Sequence, residues 1–255
     1  MNNPILITQK LRVSVAEKSI INGLDFEIYP GEVVALMGPN GSGKSSFALC
    51  LMGDSRYEID ANSKAEFLGK NMLAMDASER AKNGLFVAWQ NPVTIPGVSL
   101  FNMCRASYDA IFTFQKKNKE YKSLVELKKK LETLSELVGL SKSIISRNVN
   151  EGFSGGEKKR LELMQLLLLK PKVAILDEID SGLDVDGLKM VAKIIKQVQR
   201  EGAAIILITH YKKLLEYVEV NTVCVMKEGK IDRVGGVEIS EEIEEKGYGK
   251  LSAGI

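Results

Sequence analysis

The chain has 255 residues, of which 45% are hydrophobic and 27% charged, with a formal net charge of +2. This supports one substantial core, and the near-neutral charge gives no general attraction to nucleic acid or lipid. No apolar run approaches the roughly 18 residues that a membrane-spanning helix needs, and no signal peptide is visible, so we expect a cytoplasmic protein without direct membrane insertion. Cys50, Cys104 and Cys224 are too scattered for a metal-binding pair and are expected to be reduced core thiols.

The N-terminal part of the chain alternates apolar and polar residues as strands do. The pattern covers Ile5 to Val15, Leu24 to Ile28 and Ala65 to Leu68. We predict that these strands form a small antiparallel layer.

Residues 38–45 read Gly-Pro-Asn-Gly-Ser-Gly-Lys-Ser and fill the phosphate-loop template. Val33 to Met37 suits a buried parallel strand, and Ser46 to Met52 reads as a helix, so the loop ends at a helix N-terminus that favours an anion. Lys44 would supply a mobile positive charge for the β- and γ-phosphates, and Ser45 a hydroxyl for Mg²⁺. The alternative is a glycine-rich turn that binds nothing. The residues expected to bind the nucleotide here are Gly38, Pro39, Asn40, Gly41, Ser42, Gly43, Lys44, Ser45 and Ser46.

The character of the chain changes after the strand Leu85–Trp89 and Gln90. The following segment has few β runs and helical stretches at Phe101–Gln115 and Leu124–Val138. We predict a helical lobe inserted into an α/β core. The predicted parts of this single domain are a core of residues 1–90 and 153–255 and a helical subdomain of residues 91–152.

Two features of the lobe concern partners. The segment Pro92 to Tyr108 is rich in apolar residues, which either dock a partner or pack the lobe's own core. The lysines between Lys116 and Lys130 are interspersed with acidic residues, which favours a solvated helical face over a nucleic-acid site.

Ser154-Gly155-Gly156-Glu157 precedes a helix predicted from Lys158 to Leu169. Ser154 and Glu157 fit a capping box, but each glycine in a first turn costs about 1 kcal/mol relative to alanine. We therefore favour a helix tip that something approaches closely, such as a second phosphate, and expect all four residues to contribute to the nucleotide site.

The strand Val173 to Leu176 leads directly into Asp177 and Glu178. Ligands bind at this end of strands in open α/β sheets. Asp177 is placed to hold Mg²⁺ through water, and Glu178, free of the metal, to polarise an attacking water. The alternative is a solvated acidic turn.

A second predicted strand of the core is also followed by a polar residue. A helix from Asp186 to Gln199 separates the acidic strand from Ala204–Thr209, which His210 follows. His210 is the only histidine, so no cluster of histidines can hold a metal. Val223–Met226 and Lys230–Val234 predict a hairpin.

These motifs stand in the order of the ABC-type ATPases, and the chain resembles that family from about residue 5 onward. More narrowly it resembles the SufC family, the ATPases of the SUF iron–sulfur cluster assembly machinery. The resemblance implies a P-loop NTPase of the ABC-ATPase type, with a mixed-sheet core, an antiparallel β layer and an inserted helical lobe. The segments that carry the narrower resemblance are Gly152–Arg160, Leu176–Asp186, Thr209-His210-Tyr211 and Lys246-Gly247-Tyr248-Gly249.

The resemblance also implies roles for single residues. Gln90 would touch Mg²⁺ and the attacking water, Asp184 would cross a dimer interface, and His210 would contact the γ-phosphate. Many relatives stack adenine on an aromatic ring. Val15 occupies the corresponding position here, so we expect modest affinity for the nucleotide and loose base selectivity. The implied catalytic residues are Glu178, His210, Gln90 and Asp184, and the implied metal ligands are Ser45, Gln90 and Asp177.

The implied function is Mg²⁺-dependent ATP hydrolysis by two copies that close head-to-tail on ATP. A SufC-type subunit would bind SufB- and SufD-like scaffold proteins and rearrange them. The alternative is the ATPase subunit of a membrane ABC transporter. Such subunits usually carry Pro-Thr in place of Ile179-Asp180 and Asp in place of Tyr211, which argues against it.

Overall fold

The computed structural model describes residues 3–210 and 212–248. The strands are β1 Leu6–Val15, β2 Lys18–Ile28, β3 Val33–Met37, β4 Glu58–Ile59, β5 Lys64–Phe67, β6 Lys70–Asn71, β7 Leu85–Ala88, β8 Ile95–Ser99, β9 Asn148–Val149, β10 Val173–Asp177, β11 Ala204–Ile208, β12 Thr222–Lys227 and β13 Lys230–Gly235. The helices are α1 Lys44–Met52, α2 Ala77–Asn83, α3 Leu100–Phe114, α4 Leu124–Leu137, α5 Gly155–Leu169, α6 Val185–Arg200, α7 Lys212–Leu215 and α8 Glu238–Lys246. Short 3₁₀ helices lie at Met72–Ala74 and Lys142–Ser146.

A mixed sheet in the order β13-β12-β3-β11-β10-β7 forms the centre of the molecule. Only the β12–β13 hairpin is antiparallel, and the other pairs are parallel. Every residue of β3, β10 and β11 is buried, as apolar strands covered on both faces should be. Because parallel strands end at the same edge, the segments that follow β3, β7, β10 and β11 converge there. The predicted mixed-sheet α/β fold is confirmed.

An antiparallel layer of order β2-β1-β5-β6, with β4 paired to β1, covers one side of this sheet. The strand expected at Leu24–Ile28 begins earlier, at Lys18, because β1 and β2 form one hairpin closed by the pair Val15 and Lys18. Helix α1 lies between the layers, and its Phe47 meets Phe26 of β2 edge to face at a centroid distance of 5.5 Å. The phosphate loop is therefore attached to a helix buried between the layers.

The segment between β7 and α5 carries α3 and α4, as expected from the sequence. Tyr108 stacks on Phe112 with ring centroids 4.1 Å apart, and one continuous apolar cluster joins the lobe to α5 and the central sheet. A short antiparallel pair, β8 and β9, brings Ile95 opposite Val149 and ties the two ends of the lobe together. This pair was not predicted, because Pro96 and Gly97 interrupt the apolar pattern of the sequence. The subdomain limits given above stay a prediction.

Helix α8 was also not predicted. It buries Ile239 and Ile243 and packs against α7, which places Tyr248 close to the phosphate loop. All three cysteines lie in the described part of the chain, where they are buried and unpaired. No helix among residues 3–210 and 212–248 combines the length and the apolar character needed to cross a bilayer.

Candidate active site

The phosphate loop runs from the end of β3 to the start of α1 in a backbone conformation that needs glycine. Gly38 has φ +151°, and a Cβ there would lie 2.2 Å from the Met226 carbonyl oxygen. Gly43 has φ +107°, and a Cβ there would lie 2.8 Å from Met226 Cε. The loop thus passes directly against β12. Among the described residues no side chain caps α1, which leaves the first N–H groups of the helix available to an anion.

Lys44 is buried, with 5% of its surface exposed, and its Nζ donates to carbonyl oxygens of its own loop. The distances are 2.8 Å to Gly38 O and 3.1 Å to Pro39 O. Burial lowers the Lys44 pKa, while the carboxylates of Glu178 and Asp177 oppose the shift. Ser42 Oγ is buried and has no hydrogen-bond partner within the described residues. Lys44 lines the cavity at the loop, where its ammonium is placed for phosphate oxygens, whereas Ser42 does not line it.

Asp177 ends β10 with 5% of its surface exposed and shares a hydrogen bond with Ser45. Burial raises the Asp177 pKa to about 6, and its Oδ1 has no partner among residues 3–210 and 212–248. These same residues contain no group of three His, Cys, Asp or Glu side chains that could hold a metal. A hydroxyl beside one buried carboxylate fits Mg²⁺, which binds through one or two protein ligands together with substrate phosphates.

Glu178 is the meeting point of three strand ends. It follows β10 in the left-handed conformation, with φ +50°, and its N–H donates to Ile208 O at 2.9 Å. Gln90 Nε2 donates to one carboxylate oxygen at 2.6 Å, and His210 Nε2 lies 3.0 Å from the other. The structure therefore brings together three of the residues selected from the sequence.

The charge state of His210 follows from its surroundings. Burial lowers its pKa, and the neighbouring Lys44 charge lowers it further, while Glu178 acts in the opposite direction. A neutral ring that donates from Nε2 to Glu178 satisfies this geometry.

Lys159 and Asp180 belong to the same neighbourhood, although no role was predicted for them. Lys159 is buried, and its Nζ donates to Glu178 O at 2.6 Å and to Ser181 O at 2.5 Å. Asp180 is 5% exposed and accepts from Thr209 Oγ1 at 2.6 Å. Lys159 lies four residues before the buried Leu163, on the same apolar face of α5. A lysine on an apolar helix face is the feature of the sequence from which a role for Lys159 could have been predicted.

The signature residues form the tip of α5. Ser154 and Glu157 make the predicted capping box: Ser154 Oγ accepts from Glu157 N at 3.2 Å, and Glu157 accepts from Ser154 N at 2.8 Å. A Cβ at Gly155 or Gly156 would meet nothing within 4 Å, so no contact within the described part of the chain explains these glycines.

The signature and the phosphate loop line different cavities. A cavity of about 750 Å³ is lined by the loop with Glu178, His210 and Tyr248. A second one of about 390 Å³ is lined by Gly155 and Gly156. Gln90 and Ser181 line both cavities.

Two further residues singled out from the sequence lie apart from Glu178. Asp184 is exposed and caps α6 by accepting from Gly187 N at 2.8 Å. Val15 ends β1 opposite Lys18 and does not line the loop cavity. Tyr211 and Gly249, which contribute to the family resemblance, lie outside the described residues.

Several known proteins are similar to this chain along almost its whole length. A family model described as "ABC transporter" matches residues 21–181. The "Probable ATP-dependent transporter ycf16" of Trieres chinensis is 44% identical over 97% of both chains. The "Probable ATP-dependent transporter SufC" of Escherichia coli is 39% identical over 97% of this chain and 99% of its own length.

Among solved structures, the "ATP binding subunit of ABC transporter" matches with a TM-score of 0.76. It shares 21% sequence identity and covers 97% of this chain and 95% of its own, so it supports the fold alone. Together with the relatives and the family model, the complete set of motifs leads to one conclusion. The chain belongs to the ABC ATPase family and is an ATPase of the SufC type.

Proposed function

We propose that this ATPase drives a conformational change in a scaffold of the SufB–SufD type during iron–sulfur cluster assembly. The observation that carries the proposal is the similarity to the Escherichia coli protein named SufC along 99% of that protein's length. The geometry at Glu178 supports the ATPase part, since a carboxylate there is held beside a phosphate loop by groups from neighbouring strands.

Residues of the phosphate loop and of the neighbouring strand ends would have separate roles in hydrolysis. Lys44 Nζ would exchange the carbonyl oxygens of Gly38 and Pro39 for phosphate oxygens, which carry full charge and bind an ammonium more strongly. Ser45 and Asp177 would hold Mg²⁺, which neutralises charge on the β- and γ-phosphates. Glu178 would accept the proton of the attacking water once its bonds to Gln90 and His210 are released.

The signature residues support a head-to-tail pair of copies. Gly155 and Gly156 are open to solvent and do not line the phosphate-loop cavity of their own chain. A second copy would bring these glycines to the γ-phosphate, where their N–H groups and the α5 dipole favour an anion. Asp184 and Ser181 lie on the segment between Glu178 and α6, next to that junction.

The second candidate is the ATPase subunit of a membrane transporter, which the word "transporter" in the names of the relatives favours. Both candidates would share the hydrolytic residues. Asp180 favours the SufC-type function. Its buried carboxylate accepts a hydrogen bond from Thr209, whereas transporter ATPases usually carry threonine in place of Asp180.

Co-purification distinguishes the two candidates. We would express the tagged full chain in its native cells, separate soluble from membrane fractions, and identify the captured proteins by mass spectrometry. Recovery of scaffold proteins of the SufB and SufD type from the soluble fraction is expected. Recovery of membrane-spanning subunits in their place would contradict the proposal.

A further inference from the structure

The first residue of the phosphate loop is held at both ends of its backbone. Gly38 N–H donates to the hydroxyl of Tyr248 at 3.2 Å, and Gly38 O accepts from Lys44 Nζ at 2.8 Å. Tyr248 stands 210 residues further along the chain and lines the same cavity as Lys44, Glu178 and His210. The C-terminal part of the chain therefore reaches the nucleotide site.

Gly38 needs a partner for its N–H group. Within the described residues, the ladders of β3 end at Met37 on the β12 side and at Leu36 on the β11 side, so neither ladder supplies an acceptor for Gly38 N–H. Gly38 is buried, and a buried N–H without a partner is costly. The Tyr248 hydroxyl supplies the acceptor that the strand does not.

Tyr248 is held in place by the element before it. Helix α8 is anchored through buried Ile239 and Ile243. Gly247 then turns the chain with φ +71°, and its N–H donates to Ile243 O at 2.8 Å. The ring of Tyr248 packs against the main apolar cluster, and burial raises the pKa of its hydroxyl. The hydroxyl thus reaches Gly38 from a rigid support.

We propose that Tyr248 is a positioning residue of the nucleotide site, whose hydroxyl fixes Gly38 while Lys44 exchanges the loop carbonyls for phosphate. When Lys44 Nζ leaves Gly38 O, the bond from Gly38 N–H to Tyr248 remains and keeps the start of the loop in its binding conformation. A loop that is already ordered binds with a smaller entropic cost. Since the loop encloses the α- and β-phosphates, ADP and ATP should benefit alike. The inference rests on the proposed assignment of the phosphate loop.

The test is Tyr248→Phe, which removes the hydroxyl and keeps the ring. We expect Kd for fluorescent ATP and ADP analogues, and KM for ATP, to rise about tenfold. We expect kcat at saturating ATP to stay near its wild-type value and the melting temperature to fall by only about 2 to 4 °C, because a single buried N–H group loses its acceptor. Tyr217→Phe is the matched control, because Tyr217 is a 42% exposed tyrosine away from the cavity, and it should bind both nucleotides as wild type does.

A second variant that ends at Lys246 removes Tyr248 while retaining all of α8, and it should weaken both nucleotides at least as much. Wild-type affinity in Tyr248→Phe would overturn the inference. Weaker ATP binding with unchanged ADP binding would also overturn it, as would a lower melting temperature with unchanged Kd. Lys44→Ala tests the assignment of the phosphate loop separately from the role of Tyr248. Only wild-type nucleotide binding in Lys44→Ala would reject the loop assignment.

Discussion

Glu178 makes hydrogen bonds to two side chains that leave different strands of the central sheet. Gln90 follows β7 and His210 follows β11, and both contact the carboxylate at 2.6 Å and 3.0 Å. Both oxygens of the carboxylate are therefore held in one position by the strand ends. We infer that nucleotide binding shifts these contacts so that Glu178 turns towards the attacking water, which makes the alignment of this residue a controllable step.

Glu178→Gln should retain ATP binding and lose hydrolysis by at least about 100-fold, because an amide cannot accept the proton of the attacking water. The variant should also accumulate as an ATP-bound dimer. Phosphate release and light scattering measure the two effects, with exposed Glu216→Gln as the control. Rapid hydrolysis in Glu178→Gln would place the base elsewhere.

Lys44→Ala should abolish nucleotide binding and turnover. The substitution removes the mobile cation, while the glycines that shape the loop against Met226 remain. Isothermal titration with ATP measures the loss, and Lys193→Ala on the exposed face of α6 serves as the control. Normal turnover in Lys44→Ala would mean that another site hydrolyses ATP.

At the scale of single elements, α5 connects the signature to the strand that carries Gln90. Glu162 on α5 is 6% exposed and accepts a hydrogen bond from the backbone of Trp89, the residue before Gln90. Burial raises the Glu162 pKa to about 8. At neutral pH the folded chain therefore holds this carboxyl group mostly protonated.

Glu162 should make the protein less stable as pH rises. Between pH 4.5 and about 8 the unfolded chain releases the Glu162 proton more readily than the folded chain, so the free energy of unfolding falls over that window and levels off above it. The loss should be on the order of 2 to 4 kcal/mol. Urea unfolding at pH 5 and 8.5 measures it.

Glu162→Gln should remove this part of the pH dependence, because glutamine keeps the hydrogen bond from Trp89 without titrating. Exposed Glu66→Gln is the control and should leave the slope unchanged. Identical slopes for wild type and Glu162→Gln would show that Glu162 ionises normally.

The segment after Gln90 is partly exposed and partly buried. Val93 is 74% exposed and Ile95 of β8 is 36% exposed, whereas Leu100 is fully buried in the lobe. Asn150 Nδ2 donates to Val93 O at 2.7 Å, so the exposed part is anchored. We propose that this anchored apolar surface docks the scaffold, since it lies next to the residue that contacts Glu178.

Val93→Glu should abolish co-purification with the scaffold and leave ATP binding intact, because it places a charge in a desolvated contact. Val125→Glu, at a 65% exposed position on α4, is the matched control. Unchanged co-purification of Val93→Glu would exclude this surface.

At the scale of the whole molecule, one copy is incomplete as a hydrolytic unit. The phosphate loop and the signature glycines line separate cavities in the same chain. Two copies must meet to place both on one nucleotide, and association of free copies costs several kcal/mol of entropy. A scaffold that holds two copies close replaces this cost with a high effective concentration.

Turnover per chain should therefore rise with protein concentration and on addition of the scaffold. Phosphate release measured across a 100-fold range of enzyme concentration tests this, with ATP kept saturating. Full activity that is independent of concentration would contradict the head-to-tail dimer.

The amino-acid sequence by itself determined which residues are candidates for the site, and the structure brings several of them together at one edge of the sheet. Local sequence patterns contain the loop glycines, Lys44, Glu178 and His210. Parallel strands bring their ends to one edge of the sheet, and this does not depend on the conformation of the loops between them. The buried strands were predictable for the same reason, since apolar runs such as that of β11 leave few alternatives.

Only the tertiary structure decided which distant groups meet. Lys159 binds the backbone of Glu178 through α5 packing, and Tyr248 reaches Gly38 across 210 residues. No local periodicity encodes such contacts, because they depend on how whole helices pack on the sheet. The pairing of β8 with β9 has the same origin: two short strands, one interrupted by Pro96 and Gly97, become stable only when the lobe closes and their ends meet.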